Sequence, residues 1–319
     1  YADATLIDGT SPQSSGTPLP ANITDGVDSE KVENLGYNVK GGLGLQVDEN
    51  SKFYLNGGFY SRQPYHDNIY LNFTNFVNPL TSNEDITSIE MGYSYSTRDF
   101  TANINAYSTL WENRVVTSSR IVNDVVQLTT NQGVGQRHNG IELDFKARLF
   151  NDNLTFKGFG SFGDWKYVGN AVTRVTDEEQ NVISSTTEDI DGGQVGDAAQ
   201  TTIGFGLDYK ILENLSVDFD WRYYDALFAD VGAVKENLQL PSYDIADFGI
   251  SYKINLGGEN NKSLDLRANV NNVFNEVYLS DLRTNIQGSG GETWKGIDVN
   301  NQGYFGLGRT WNASVRYSF

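Results

Sequence analysis

The chain has no cysteine among its 319 residues. Disulfides, thiol nucleophiles and zinc–thiolate centres are thereby excluded together. Long apolar runs are missing as well, and nothing approaches the roughly 18 residues that a membrane helix needs. Mean hydropathy is negative, at -0.44. Neither fact excludes a bilayer, because a barrel strand shows lipid only at every second residue. Positive charge is in deficit: 23 Lys and Arg stand against 41 Asp and Glu, a net charge of -18. Nucleic acid needs a basic face, so no nucleic-acid partner is expected. Catalytic signatures are absent too, with no GxSxG, no HExxH and no phosphate loop. Glu142 and Asp144 share one face of a strand, but Lys146 and Arg148 continue the same row. That row reads as a solvated charge ladder, not an acid–base pair, so no enzyme and no cofactor are expected. The start, Tyr1-Ala-Asp-Ala-Thr, has no basic region and no apolar core, so it is no signal peptide. It reads as a cut inside something longer.

What is present is alternation. In Trp311-Asn312-Ala313-Ser314-Val315-Arg316-Tyr317-Ser318-Phe319, apolar and polar residues take turns to the last position. Successive strand side chains point to opposite faces, so Trp311, Ala313, Val315, Tyr317 and Phe319 share one face. The pattern recurs. Tyr37, Val39, Gly41, Leu43, Leu45 and Val47 form one such set, and Ile141, Leu143, Phe145, Ala147 and Leu149 another. About eleven strands follow from such segments, at about 11–16 residues each, longer than the soluble norm of about 5–6. Short turns, such as Asp48-Glu49-Asn50, alternate with long connections, such as 63–85. An outer-membrane barrel sorts its loops in this way.

The expected fold class is therefore all-β, a transmembrane antiparallel β-barrel. About eleven strands would be part of a barrel of about 22. Residues 1–34, rich in Ser, Pro, Gly, Asn and Asp, read as a long extracellular loop, and 35–319 as barrel. An odd strand count leaves the first and last strands running the same way, so the chain is expected to form a curved wall that needs a further segment to close. Strand four is expected to end near Val116, with a loop to about Gly135. Residues 177–197 hold Asp177, Glu178, Glu179, Glu188, Asp189, Asp191 and Asp197 with no Lys or Arg. They read as a solvated loop, with a divalent-cation site as the sharper alternative. Trp111, Trp165 and Tyr224 read as an aromatic girdle at strand ends, with stacking on a ligand such as a sugar face as the alternative. Trp294, placed in a loop, reads as a ligand-stacking residue, and His66, beside Tyr65 and Tyr70, as a possible ligand contact.

Several stretches resemble TonB-dependent outer-membrane receptors, in family order along residues 61–319. Ser61-Arg62-Gln63-Pro64 resembles the family's s-R-x-P segment. Ser82-Asn83-Glu84 through Glu90-Met91-Gly92 resembles P-E-x-x-x-x-E-x-G, with Asn83 in the proline's place. Asn105-Ala106-Tyr107 through Asn113, Asn139-Gly140-Ile141-Glu142, Asn271-Asn272-Val273-Phe274 through Tyr278, and the terminal Phe319 match further segments. Gly308-Arg309-Thr310-Trp311 resembles the branch with a carboxypeptidase-regulatory-like extension, near the SusC-like importers. The resemblance implies active import of a scarce nutrient, such as a siderophore, cobalamin, glycan or peptide. It implies outer-membrane lipid around the wall, a plug, TonB engaged through an N-terminal segment, and a surface lipoprotein as a further partner. Arg62, Tyr65, His66 and Trp294 are the candidate ligand contacts. The resemblance makes Tyr317 and Phe319 the signal to the outer-membrane assembly machinery. A passive porin and a soluble β-rich adhesin are the alternatives.

Overall fold

The computed structural model describes residues 31–70, 77–78, 81–122, 125–177, 181–257, 262–288 and 290–319. The loop expected over 1–34 lies, but for 31–34, outside the described residues. The chain runs β1 (Tyr37–Gln46), β2 (Ser51–Arg62), a single helical turn α1 (His66–Ile69), β3 (Glu84–Ser96), β4 (Phe100–Val122), β5 (Val125–Leu149) and β6 (Leu154–Val168). Next come β7 (Asn170–Thr176), β8 (Val182–Asp189), β9 (Thr201–Leu212), β10 (Leu215–Asp225), β11 (Tyr243–Gly257) and β12 (Lys262–Asn271). Four short strands follow, β13 (Leu279–Leu282), β14 (Thr293–Trp294), β15 (Ile297–Asp298) and β16 (Gly303–Phe305), before β17 (Thr310–Ser318).

Eleven of these form one antiparallel path, β1-β2-β3-β4-β5-β6-β9-β10-β11-β12-β17. Among the described residues β1 and β17 do not pair, so the sheet is a wall with two edges. Register explains why it holds as a wall. Phe100, Ala147, Phe156, Leu207, Phe219, Phe248, Val270 and Trp311 are successive cross-strand partners from β4 to β17. A second row joins Leu43, Leu55, Met91, Ala106, Ile141 and Phe162 across β1 to β6. A slip of one residue would move every apolar side chain to the other face. Aliphatic members of these rows stand in the open, with Leu43 at 74% and Ile141 at 49% exposure. A wall with exposed aliphatics on one side suits hydrocarbon, not water.

The opposite face is polar and wired together. Lys157 on β6 reaches Asp220 at 3.1 Å and Asp208 at 3.7 Å. Arg267 on β12 donates to Asp218 at 2.7 Å, and Arg222 pairs with Asp247. Aromatic rings on this face lie over glycines of neighbouring strands. A Cβ on Gly92 would sit 2.3 Å from the Tyr54 ring, and one on Gly140 only 2.4 Å from the Tyr107 hydroxyl. Glycine at these places is a requirement of close approach.

Three expectations need correction. Strand four does not stop at Val116, and there is no loop to Gly135. β4 and β5 run on as one hairpin to Val122 and Val125. Register shifts at Trp111/Arg114 and Arg114/Val116, with Asn113 at φ 60°, bend the ribbon where it leaves the apolar band. The acidic stretch is not a plain loop either. β7 pairs with β5 and β8 pairs with β7, so residues 182–189 extend the sheet. Lastly, the connection that holds Trp294, read from the sequence as a loop, carries the small sheets β13–β16 and β14–β15.

Packed apolar cores lie at the outer end. Leu227, Ala229, Leu240, Leu279, Leu282 and Ile297 bury one another between the 226–242 and 272–309 connections. Val134, Tyr167, Ala171, Ile190 and Ala233 form a second cluster where the β4–β5 ribbon, β6, β7 and the 226–242 connection meet.

Candidate ligand-binding mouth

Alternation also places the aromatic residues. Phe162 belongs to the outward row, so Trp165, three residues further along β6, faces inward. The same parity turns Tyr107 and Trp111 of β4, His138 of β5 and Tyr224 of β10 to the inner face. Trp111, Trp165 and Tyr224 are therefore not lipid-side girdle residues, because their strand phase is the polar one. On the outward face of β10 lie Trp221 and Tyr223, stacked at 6.3 Å, with the Trp221 Nε1–H donating to Asp244 at 2.9 Å. Counting phase from the terminal alternation would have found this from the sequence.

Above the apolar band the outward positions turn polar. On β5 the row ends at Ile141, followed by Asn139, which accepts a hydrogen bond from Ser108 at 2.7 Å. On β6 it passes to Asp164 and Lys166, paired at 2.7 Å. The inner face at this height carries the aromatic cluster. His138 and Trp165 are cross-strand partners, stacked at 5.2 Å with 15° between rings. The Trp165 Nε1–H donates to the Tyr107 hydroxyl at 3.0 Å. Arg114 bonds Gln136 and lies 5.2 Å over the Trp111 ring. Burial, then the Arg114 charge, holds His138 down at about 4. The ring is therefore neutral at pH 7. Burial pushes the Tyr167 phenol up to about 12, and its hydroxyl donates to the Gly232 carbonyl at 3.2 Å.

A second inner stack joins Tyr224, Tyr243 and Tyr278 at 5.0 and 4.2 Å. Burial, then Tyr278, pushes Tyr243 up to about 12. Arg283 bridges Asp281 at 2.8 Å and also pairs with Asp230. Burial pushes the Asp230 carboxyl up against the pull of Arg283, with Asp197 and Asp281 adding to the push. In the acidic stretch, Lys235 pairs with Asp189, and Asp191 accepts the Gly169 amide at 3.0 Å. Among the described residues no group of three or more His, Cys, Asp or Glu could hold a metal ion.

The residues singled out from the sequence fall in two places. Arg62 donates to Tyr65 at 3.1 Å, lies 4.7 Å over its ring and pairs with the buried Glu84. His66 meets Tyr70 at 5.5 Å between rings. These three candidates thus share the β2–β3 rim. Trp294 is elsewhere, packed edge-on to Phe305 at 5.0 Å, with Lys295 over its ring, against the Leu227–Ile297 core.

Comparison with known proteins agrees with this geometry. Residues 10–273 match the family model for the TonB dependent receptor-like β-barrel. The chain belongs to the TonB-dependent receptor β-barrel family. No curated protein matches it. Among solved structures it is similar to the copper transporter OprC, with 16% identity over 86% of this chain and a TM-score of 0.58. It is similar to the ferric-catecholate import receptor Fiu from K12 E. coli, with 17% identity over 99% of this chain and a TM-score of 0.57. It is also similar to the FrpB iron transporter from Neisseria meningitidis, with 19% identity over 88% and a TM-score of 0.57. It spans only 38%, 40% and 39% of those three chains. At such identities the likeness is one of fold.

Proposed function

We propose that this chain is the wall and outer mouth of an outer-membrane receptor that imports a scarce nutrient with energy delivered through TonB. The observation that carries the reading is the wall itself. It has an apolar outer face, a charged inner face, and two strand edges without partners among the described residues. Unpaired edges in lipid cost several kcal/mol for each stranded backbone group. A further segment that closes the barrel removes that cost, and the chain spans about two fifths of the receptors it matches. The remainder would supply the other strands, the plug and the TonB-engaging segment. Arg62, Tyr65 and His66 would contact ligand from the β2–β3 rim, and Trp294 from the 272–309 connection. The place near the carboxypeptidase-regulatory-like and SusC-like branch rests on Gly308–Trp311. Reading the gene upstream of Tyr1 tests it, with that extension ahead of a plug as the expected result.

Uptake tests the function. Cells making the full-length receptor are offered ferric chelates, cobalamin, glycans and peptides, with TonB present or deleted. One class is expected to enter only with TonB. Entry that persists without TonB makes the protein a porin.

A further inference from the structure

We propose that the inner face of β4–β6, just above the apolar band, is a subsite for an uncharged ligand with a flat ring face, a neutral oligosaccharide. This rests on the receptor reading above and names the substrate class for it. The subsite is built from Tyr107, His138 and Trp165. Glycine makes it possible: the Tyr107 ring lies over Gly140, and a Cβ on Gly163 would sit 2.6 Å from Trp165 Nε1. The rings therefore lie low on the wall and present an aromatic surface that is half-buried, not covered. Two other ring groups at the mouth are more fully covered. Trp111 is covered by Arg114, and Tyr243 is sandwiched between Tyr224 and Tyr278.

Polar groups next to the rings suit hydroxyls. His138 Nε2 is buried in this cluster with no protein partner among the described residues, and so is Asn105 Oδ1 two residues before Tyr107 on the same face, toward the band. A neutral imidazole offers one donor and one acceptor, and an amide oxygen accepts. A pyranose supplies hydroxyls at its rim and C–H groups on its face, which is what a ring surface edged by such groups can hold.

Charge argues against the other common cargo. Four cations at the mouth are already engaged: Arg62 by Glu84, Arg222 by Asp247, Lys235 by Asp189, and Arg283 by Asp230 and Asp281. Arg114, the cation nearest the rings, is held by Gln136 and Trp111. An anionic metal chelate would meet a chain of net charge -18 in which these cations are already paired.

The test uses the full-length receptor in nanodiscs on an array of neutral, uronic and sulfated oligosaccharides, with ferric enterobactin as the anionic chelate. Neutral oligosaccharides are expected to bind. Trp165→Ala should weaken that binding about tenfold or more, and Trp165→Phe should restore part of it. Trp221→Ala, on the lipid side, should leave it unchanged. Heat-modified gel mobility checks that each variant folds. Binding of the chelate without any neutral sugar, no binding at all, or a folded Trp165→Ala with wild-type affinity overturns the proposal. Chelate binding with TonB-dependent uptake leaves the receptor reading standing and removes only the subsite. Loss of TonB dependence removes the receptor reading itself.

Discussion

Ile141 and Val134 lie on the same strand, β5, and have opposite fates. Ile141 is 49% exposed and Val134 is fully buried. Below Asn139 the apolar side chains of the ribbon point away from the molecule and meet no protein core. Above it the strands leave that phase through the shift around Arg114, and apolar side chains turn inward to bury one another. One stretch of backbone is thus solvated by lipid and the next by its own loops. The wall is specified by alternation and register, with little side-chain core. The mouth is specified by packing, as in a small water-soluble domain, where Gly193 and Gly196 come so close to the 226–237 backbone that a Cβ would stand 2.1 Å from a carbonyl.

Substitutions separate the two regions. The largest effect is expected from Leu282→Ala, at a residue with 1% exposure in the mouth core. A cost of about 2–5 kcal/mol is expected for truncating a buried leucine. Hydrogen exchange should rise across 226–242 and 272–309 while β1–β6 remain protected. Collapse of protection throughout would mean that the regions do not fold separately. In the wall, Phe145→Arg is expected to cost about 2–4 kcal/mol near the bilayer midplane. Asp144→Arg, on the inner face, should be tolerated. Equal costs in a folding titration would reverse the assigned faces.

Acid sharpens the comparison further. His138 titrates near 4 in the folded mouth and near 6.5 when unfolded, so the unfolded chain binds more protons between those values. Mouth stability should therefore hold above about pH 6.5 and fall as pH drops toward about 4. Protonated histidine quenches a stacked indole, so a pH titration of the Trp165 emission should show a midpoint near 4. A midpoint near 6.5 would place His138 in open water. The smallest effect concerns assembly. Tyr317 and Phe319 stack at 6.0 Å on the open edge strand β17, with Phe319 at 87% exposure. Deleting Phe319 should slow membrane insertion without changing the stability of receptor already inserted. Unchanged insertion kinetics would remove the signal role.

The wall was readable because alternation is local. Phe145 and Asp144 differ by one position, and no distant residue is needed to assign their faces. The mouth was not readable because its order is long-range. Nothing near Asp189 announces Lys235, and nothing near Tyr167 announces the Gly232 carbonyl that it meets. The girdle assignment of Trp165 erred for a different reason. A place near a strand end suits a girdle, but strand phase turns the indole inward, and register then sets it beside His138. Arg62 and Tyr65 do come together, helped by their closeness in sequence, whereas Trp294 required the fold of the whole 272–309 connection.

The central claim is that β5 is lipid-facing below Asn139 and enclosed in protein and water above it. The cysteine-free sequence permits a direct test. Single cysteines are introduced at successive positions from 134 to 149 of the full-length receptor, spin-labelled, and measured in bilayers against oxygen and a water-soluble nickel chelate. Labels at 141, 143, 145, 147 and 149 should favour oxygen, and those at 142, 144, 146 and 148 the chelate or neither. At 139 and 137 the outward phase should switch to the chelate. Uniform water access from 141 to 149, or an oxygen-favouring phase that continues unbroken to 135, would contradict the account.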